Sequence, residues 1–378
     1  RDVYLGRFGS PESRAEYDRT IIEWISNGRR LPAPTLGAGS DRTVNEVLLD
    51  YLGFAESYYV KRGEPTSEVV CLRYSIRPLR QLYGDTSARD FGPLQLKAVR
   101  QAYVDHGYCR NEVNKHVGRI VRIFKWAASE GMVPPSVQHG LQTVSGLRRG
   151  RANVRESEPV KPVPDAFVDA IRPFVPSQIW AMIELQRLSG MRPSEVCQMR
   201  TIDIDTSGRV WTYIPESHKT EHHGRERRIY LGPSAQAVLR PWFRTDTTAY
   251  LFQPREVEAE RQAKRRQGRK TPRTPSERSR KRKANPKWSP RERYDTQSYS
   301  HAIAYAIRRA NQVNGRSDGD PIPHWSPNRL RHNAATRLRK EFGLDVARAV
   351  LGHSSPAVTA IYAEVDGAKA AEAMLRIG

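Results

Sequence analysis

Cysteine is scarce: the 378 residues include only Cys71, Cys109 and Cys197, far apart and odd in number. That argues against a disulfide framework and against a cysteine-based zinc site, and it fits a reducing compartment. No apolar run approaches the roughly 20 residues needed to cross a bilayer. No secretory signal is visible, so a cytoplasmic, nucleoid-associated location is expected, with no membrane partner. The chain opens on Arg1 rather than Met, so a natural start further upstream is expected. There is no Gly-rich loop to cradle phosphates, so no nucleotide cofactor is expected. No aromatic-rich RNA motif and no convincing carboxylate cluster occurs, which disfavours an RNA-binding protein or a metal-dependent nuclease.

Acidic residues are also in deficit. Lys and Arg number 63 against 41 Asp and Glu, a formal net charge of +22. A field of that sign favours a polyanionic partner, DNA or RNA first and an anionic membrane surface second. No basic amphipathic helix with a clean apolar face stands out, so nucleic acid leads.

Residues 1–40 read as a leader and linker. A helix starts at Ser10, with Ser10 as N-cap and Pro11 at the first position, and runs to about Ser26. Residues 41–146 read as all-helical. Val44, Val47, Leu48, Tyr51 and Leu52 recur at helical spacing, as do Leu72, Ile76, Leu79 and Leu82. A third helix starts near Pro93. The fourth has one stripe of Val113, Val117, Ile120, Val121, Phe124 and Ala128, with Lys115, Arg119, Arg122 and Lys125 on other faces. Those cations read as a solvated face or as phosphate contacts.

Residues 147–164 lack periodicity and read as a linker. Beyond it, helices are expected at 177–189, 193–200, 234–243, 297–313, 327–342, 344–351 and 356–375. Strand-like runs at 210–214 and 228–231 flank a polar turn, giving a β-hairpin in an otherwise helical domain. Residues 254–293 hold 16 Lys/Arg against 5 Asp/Glu and almost no large apolar residue. The stretch reads as a mobile basic insertion that touches DNA electrostatically, through residues such as Arg265, Arg266, Lys281 and Arg282.

Four local patterns stand out in the last half. Arg192 lies in Ser189-Gly190-Met191-Arg192-Pro193-Ser194-Glu195, where one helix ends and another begins. Lys219 lies in the hairpin turn. Asn328-Arg329-Leu330-Arg331-His332-Asn333-Ala334-Ala335-Thr336 opens a helix. Leu351-Gly352-His353-Ser354-Ser355 is followed, nine residues after His353, by Tyr362. Each alone has an ordinary structural reading. His218, His222 and His223 crowd Glu221, where a polar turn is the preferred reading over a metal site.

Together, in this order and spacing, the boxes resemble the tyrosine recombinases, the phage integrase family, over about 165–370. The 41–146 region resembles that family's helical, SAM-like core-binding domain, and 1–28 the remainder of an arm-binding domain. The resemblance implies a mainly α fold with a small β-hairpin or sheet in the catalytic domain (165–378), and two domains closing as a clamp on double-stranded DNA. It implies a site-specific recombinase that cuts and rejoins strands through a 3′-phosphotyrosine, integrating or excising a mobile element. Tyr362 would be the nucleophile, Arg192 and Arg331 the grips on the non-bridging oxygens, Lys219 the acid for the leaving 5′-oxygen, and His353 a hydrogen-bond donor to the phosphate. Glu195 would orient active-site groups. No cofactor or metal is expected, because arginines and lysine supply the charge.

The family pattern has histidine where this chain has Asn328, which can hydrogen-bond but cannot accept a proton near neutral pH. Asn328 is expected to keep the phosphate contact while water or another group takes the tyrosine proton. His332 is expected to pack and hydrogen-bond. The resemblance further implies a tetramer on two DNA sites, with the tail after Tyr362 packing on a neighbour, and an accessory DNA-bending or directionality protein. The alternatives are a chromosome-dimer resolvase, a type IB topoisomerase-like enzyme, and a non-catalytic DNA-binding protein that retains the fold. Base-reading residues are sought on the helices at 113–128 and 297–313.

Overall fold

The computed structural model describes residues 7–11, 13, 14, 17, 21, 42–61, 63–218, 224, 226–272, 274–279, 291–313, 321–353 and 375. The chain divides into two compact units, Arg1–Pro159 and Val160–Gly378. Near the start, the described positions 11, 13, 14, 17 and 21 are helical, and Ser10 Oγ accepts from the Ser13 N–H at 3.1 Å, the N-cap bond its sequence position predicts.

In the first unit, helix α1 (Val44–Tyr58) is opened by a reciprocal cap. The Thr43 N–H donates to Glu46 Oε2 at 2.7 Å, and Thr43 Oγ1 accepts from the Glu46 N–H at 3.3 Å. A short hairpin of β1 (Val60–Lys61) and β2 (Glu64–Pro65), too brief to leave a periodic signal, leads into α2 (Ser67–Tyr83). Leu72, Ile76 and Leu79 of α2 are buried, but Leu82 is 50% exposed. Three-residue steps fall about 60° short of a full turn, so a run of them walks off the buried face.

Helices α3 (Pro93–Asp105), α4 (Arg110–Ser129) and α5 (Pro135–Gln142) complete this unit among the described residues. Val113, Val117, Ile120, Ile123, Phe124 and Ala127 of α4 line the core, and the Phe124 ring stacks on Phe91 at 4.9 Å. Ser75 Oγ donates to the Cys71 carbonyl and lies 2.8 Å from His116 Nδ1, so the ring presents Nδ1–H to the hydroxyl.

The second unit opens with α6 (Asp165–Asp169), α7 (Ser177–Ser189) and α8 (Pro193–Cys197). Three antiparallel strands follow in the order β3 (Ile204–Asp205), β4 (Trp211–Tyr213), β5 (Ile229–Leu231). Trp211 pairs with Leu231 and Ile204 with Tyr213, so the expected hairpin carries an extra edge strand. Then come α9 (Pro233–Leu239), α10 (Pro254–Gln267), α11 (Pro275–Ser279), α12 (Thr296–Val313), α13 (Asn328–Phe342) and α14 (Leu344–Leu351). Ile179, Met182, Ile183 and Leu185 bury α7 on several sides, with α9 and α13 packed against it. The tail expected as a helix at 356–375 lies outside the described residues, except for Leu375, which is helical.

The first part of the basic stretch is not the structureless loop its composition predicts. Residues 254–267 form α10, with Pro254 at N1, Glu256 in the first turn and Lys264, Arg265 and Arg266 in the last. Charged helix formers ordered along the macrodipole suffice for a helix, and the lack of apolar residues leaves it solvent-exposed rather than unfolded. Its start is tethered. Arg244 grips Glu256 with two bonds of 2.7 Å, and Gln178 Nε2 donates to Glu256 Oε2 at 2.8 Å.

The end of the 147–164 stretch is also tied down. Asn333 Oδ1 accepts from the Val163 N–H at 2.8 Å, and Arg329 donates to the Lys161 and Pro162 carbonyls at 2.7 and 2.9 Å. Arg329 and Asn333 are one turn apart on α13, so a single helix face fixes three extended residues.

Candidate active site

Helix α7 ends in a left-handed cap at Gly190, φ +67°. A Cβ there would lie 2.7 Å from Leu351 Cδ2 and 3.1 Å from Ala334 Cβ, so glycine serves both the turn and the close approach of α13 and α14. Two residues on, Arg192 precedes α8. Glu195 Oε2 accepts the Arg192 N–H at 2.6 Å, and Oε1 accepts from Arg192 Nη1 at 2.7 Å. The carboxylate is fully buried. Burial would raise its pKa, but Arg227, Arg192, the Arg192 amide and Arg331 outweigh that and hold it below the usual carboxylate range.

Arg331 projects from α13 and is 1% exposed. Its Nη1 donates to the Gly190 carbonyl at 2.6 Å and its Nη2 to the Leu351 carbonyl at 2.7 Å, tying the ends of α7 and α14 together. Nη2 also lies 2.8 Å from His353 Nε2. A guanidinium only donates, so His353 Nε2 is an acceptor and its ring proton sits on Nδ1. Burial and the cations Arg331, Arg192, Arg227 and His332 push the His353 pKa down to about 3. His353 is therefore neutral at physiological pH, and its free-state donor is Nδ1–H rather than Nε2–H.

The sequence reading missed Arg227. It lies two residues before β5, 4% exposed, with Nε 3.3 Å from Glu195 Oε1. Its local context, a basic Arg225-Glu226-Arg227-Arg228 run, is indistinguishable from a solvated loop. Its tertiary contacts, across 32 residues to Glu195 and across 123 to Val350, separate it from its neighbours. Three guanidiniums (Arg192, Arg227, Arg331) thus surround one carboxylate. Such a cluster, in low dielectric, suits an oxyanion that gains charge as it reacts.

Asn328 is the first residue of α13, half-buried, and among the described residues its side chain has no hydrogen-bond partner. His332 is buried on the same helix. Lys219 and Tyr362 lie outside the described residues, as do His222, His223, Lys281 and Arg282. Among the described residues no cluster of His, Cys, Asp or Glu could hold a metal ion.

On α4 the expected basic face is partly self-paired. Arg119 makes two bonds to Glu68 at 3.1 and 3.2 Å, and Arg122 pairs with Glu68 while covering the Tyr59 ring at 5.5 Å. Lys115 pairs with Glu112 at 2.7 Å, an exposed pair that competes weakly with any other anion, and Lys125 is exposed. On α10, Arg265 and Arg266 are exposed.

The model of the phage integrase family matches residues 166–369. The chain belongs to that family. This tyrosine recombinase is 24% identical over 291 residues to tyrosine recombinase XerC of Mycobacterium sp. strain KMS, covering 75% of this chain and 83% of that one. Its fold is similar to a Tn1549 transposon integrase in complex with circular intermediate DNA, with a TM-score of 0.58 at 14% identity, covering 88% of this chain and 99% of the other. It is also similar to a lambda integrase dimer bound to a COC′ core site, with a TM-score of 0.57 at 17% identity, covering 85% and 96%. Family members are site-specific DNA recombinases, and the mainly helical architecture with a small antiparallel sheet is the fold of these neighbours.

Proposed function

We propose that this tyrosine recombinase integrates or excises a mobile element, with Tyr362 as nucleophile and the Arg192–Arg331–His353 cluster as the phosphate site. The convergence of Arg192, Arg331, Glu195 and His353 carries this reading: the three boxes, far apart in sequence, meet within hydrogen-bond distance. Tyr362 Oη attacks the scissile phosphorus, the P–O5′ bond breaks, and Lys219 protonates the leaving 5′-oxygen. The 5′-hydroxyl of the partner strand then attacks the phosphotyrosine and releases Tyr362, so the bond energy is conserved. Arg192 and Arg331 hold the non-bridging oxygens, and their grip tightens as the phosphorane gains charge. His353 donates through Nδ1–H, and Asn328 donates its amide to the phosphate while water takes the tyrosine proton.

Double-stranded DNA is the partner. The first unit acts as the core-binding domain and the second as the catalytic domain. A tetramer on two DNA sites follows the lambda integrase tetramer bound to a Holliday junction, to whose fold this chain is similar (TM-score 0.58). Among the described residues no helix is long and apolar enough to cross a membrane, and action on cytoplasmic, nucleoid DNA is the matching setting. Likeness to XerC favours one second reading, chromosome-dimer resolution.

The test is a supercoiled plasmid carrying the DNA that flanks the gene, incubated with wild type or Tyr362→Phe in EDTA and stopped with SDS. Protease-sensitive protein–DNA adducts, absent in the variant, are expected. DNA binding without adducts on intact or nicked sites refutes the assignment in favour of a non-catalytic DNA-binding protein. Adducts that form on chromosomal terminus DNA and not on flanking DNA favour the resolvase reading.

A further inference from the structure

We propose that Arg227 is a positioning residue: it locks the Glu195 carboxylate to the C-terminus of α14, so that Arg192 and His353 face one phosphate. This rests on the recombinase reading above.

One guanidinium works in several directions. Its Nε reaches Glu195 Oε1 at 3.3 Å, and its Nη1 donates to the Val350 and Arg228 carbonyls, both at 3.1 Å. It therefore joins three segments far apart in sequence: the start of α8, the approach to β5 and the last turn of α14. Gly352 completes the fit. It caps α14 at φ +63°, and a Cβ there would lie 2.5 Å from Arg227 Nη1 and 3.2 Å from Cζ. The glycine of the Leu351-Gly352-His353 box thus makes room for this arginine as well as turning the chain. His353 follows directly, so the guanidinium that holds Val350 also sets the starting point of the His353 side chain.

The charge arrangement gives Arg227 a role that α14 packing alone would not. Glu195 Oε1 is shared between Arg192 and Arg227. Without Arg227, a fully buried carboxylate would keep Arg192 as its one direct ion-pair partner among the described residues, and their pairing would compete with Arg192 binding a phosphate. With Arg227 present, the second cation offsets that pull. Arg227 Nη2, meanwhile, is buried with no hydrogen-bond partner among the described residues. Stability alone does not favour leaving a buried guanidinium donor unpaired.

The experiment compares wild type, Arg227→Gln and Arg227→Lys on the flanking-DNA plasmid, then on a duplex whose mapped scissile phosphate is replaced by a methylphosphonate. That substitution removes one charged oxygen, and with it much of the demand on Arg192. DNA binding and thermal unfolding are measured beside single-turnover cleavage. Arg227→Gln is expected to slow cleavage about 10–100-fold while binding changes less than about threefold. On the methylphosphonate the deficit should shrink to under about threefold. Lys keeps the charge but not the fork, so it should not restore the rate. It also carries the test if Arg227→Gln fails to fold.

Wild-type rates in both variants overturn the proposal. So does full rescue by Lys, or an equal deficit on both substrates, which marks a purely structural residue. Absence of any adduct with wild-type protein overturns the recombinase reading, and this inference with it.

Discussion

Replacing Gly190 with alanine should test how closely the active-site boxes pack. The residue sits at φ +67°, where a side chain costs about 1–2 kcal/mol. Its new methyl would lie 2.7 Å from Leu351 Cδ2 and 3.1 Å from Ala334 Cβ, and overpacking of that kind costs about 1–3 kcal/mol more. The expected destabilisation of the second unit is therefore about 2–5 kcal/mol. Leu351→Ala removes the nearer clash while leaving the backbone strain. In that background Gly190→Ala should cost about 1–3 kcal/mol less, a coupling of the size neighbouring core residues show.

Hydrogen exchange of α13 amides reads the opening free energy segment by segment, which matters because two compact units need not unfold together. Equal penalties in the two backgrounds would refute the steric argument. Function should fall further than stability, because the Gly190 and Leu351 carbonyls are both anchors of Arg331. A displacement of about 1 Å at a phosphate grip costs on the order of 100-fold in rate.

Other expectations follow from the same geometry. His353 titrates near 6.5 when unfolded and at about 3 when folded. The unfolded chain therefore binds the extra proton, and second-unit stability should fall as pH drops from about 6.5, by at most about 1.4 kcal/mol per unit. Between about pH 7 and 5 few carboxylates titrate but the other histidines do, so the effect is read as the difference between the denaturant-unfolding profiles of wild type and His353→Asn; identical profiles contradict it. Asn328→His should leave cleavage unchanged or slower, and a large gain in single-turnover rate would mean that the asparagine handicaps the enzyme. Arg265→Ala with Arg266→Ala should lower the slope of log affinity against log salt by about 1.8, and an unchanged slope would remove α10 from the DNA contact surface. Phe124→Ala should cost the first unit about 3–5 kcal/mol, measured by hydrogen exchange in α4, since its ring is fully buried against Phe91.

Much of the fold was readable from local signals. The Ser10 cap, the α4 stripe and the ends of α7 and α12 follow from periodicity and capping, which act over four residues or fewer. Composition misled where charge was taken for disorder: α10 is helical because Ala, Glu, Arg and Gln are good helix formers whether or not they bury anything. β3 and the β1–β2 hairpin were missed because two-residue strands carry no alternation to detect.

The sequence by itself determined the family to which this protein belongs, since Arg192, Arg331, His353 and Tyr362 stand in boxes whose order and spacing are a local, linear property. Only the tertiary structure decided how those groups are held. That Arg331 bridges two helix ends, that His353 is a neutral acceptor there, and that Arg119 and Arg122 turn to Glu68 depend on residues 20 to more than 100 positions apart. So does the choice of Arg227, out of a run of similar arginines, as the one buried against Glu195 and Gly352. A guanidinium's partner is set by burial and by which carboxylate or carbonyl the fold brings within about 3 Å, and neither is written in its neighbours along the chain.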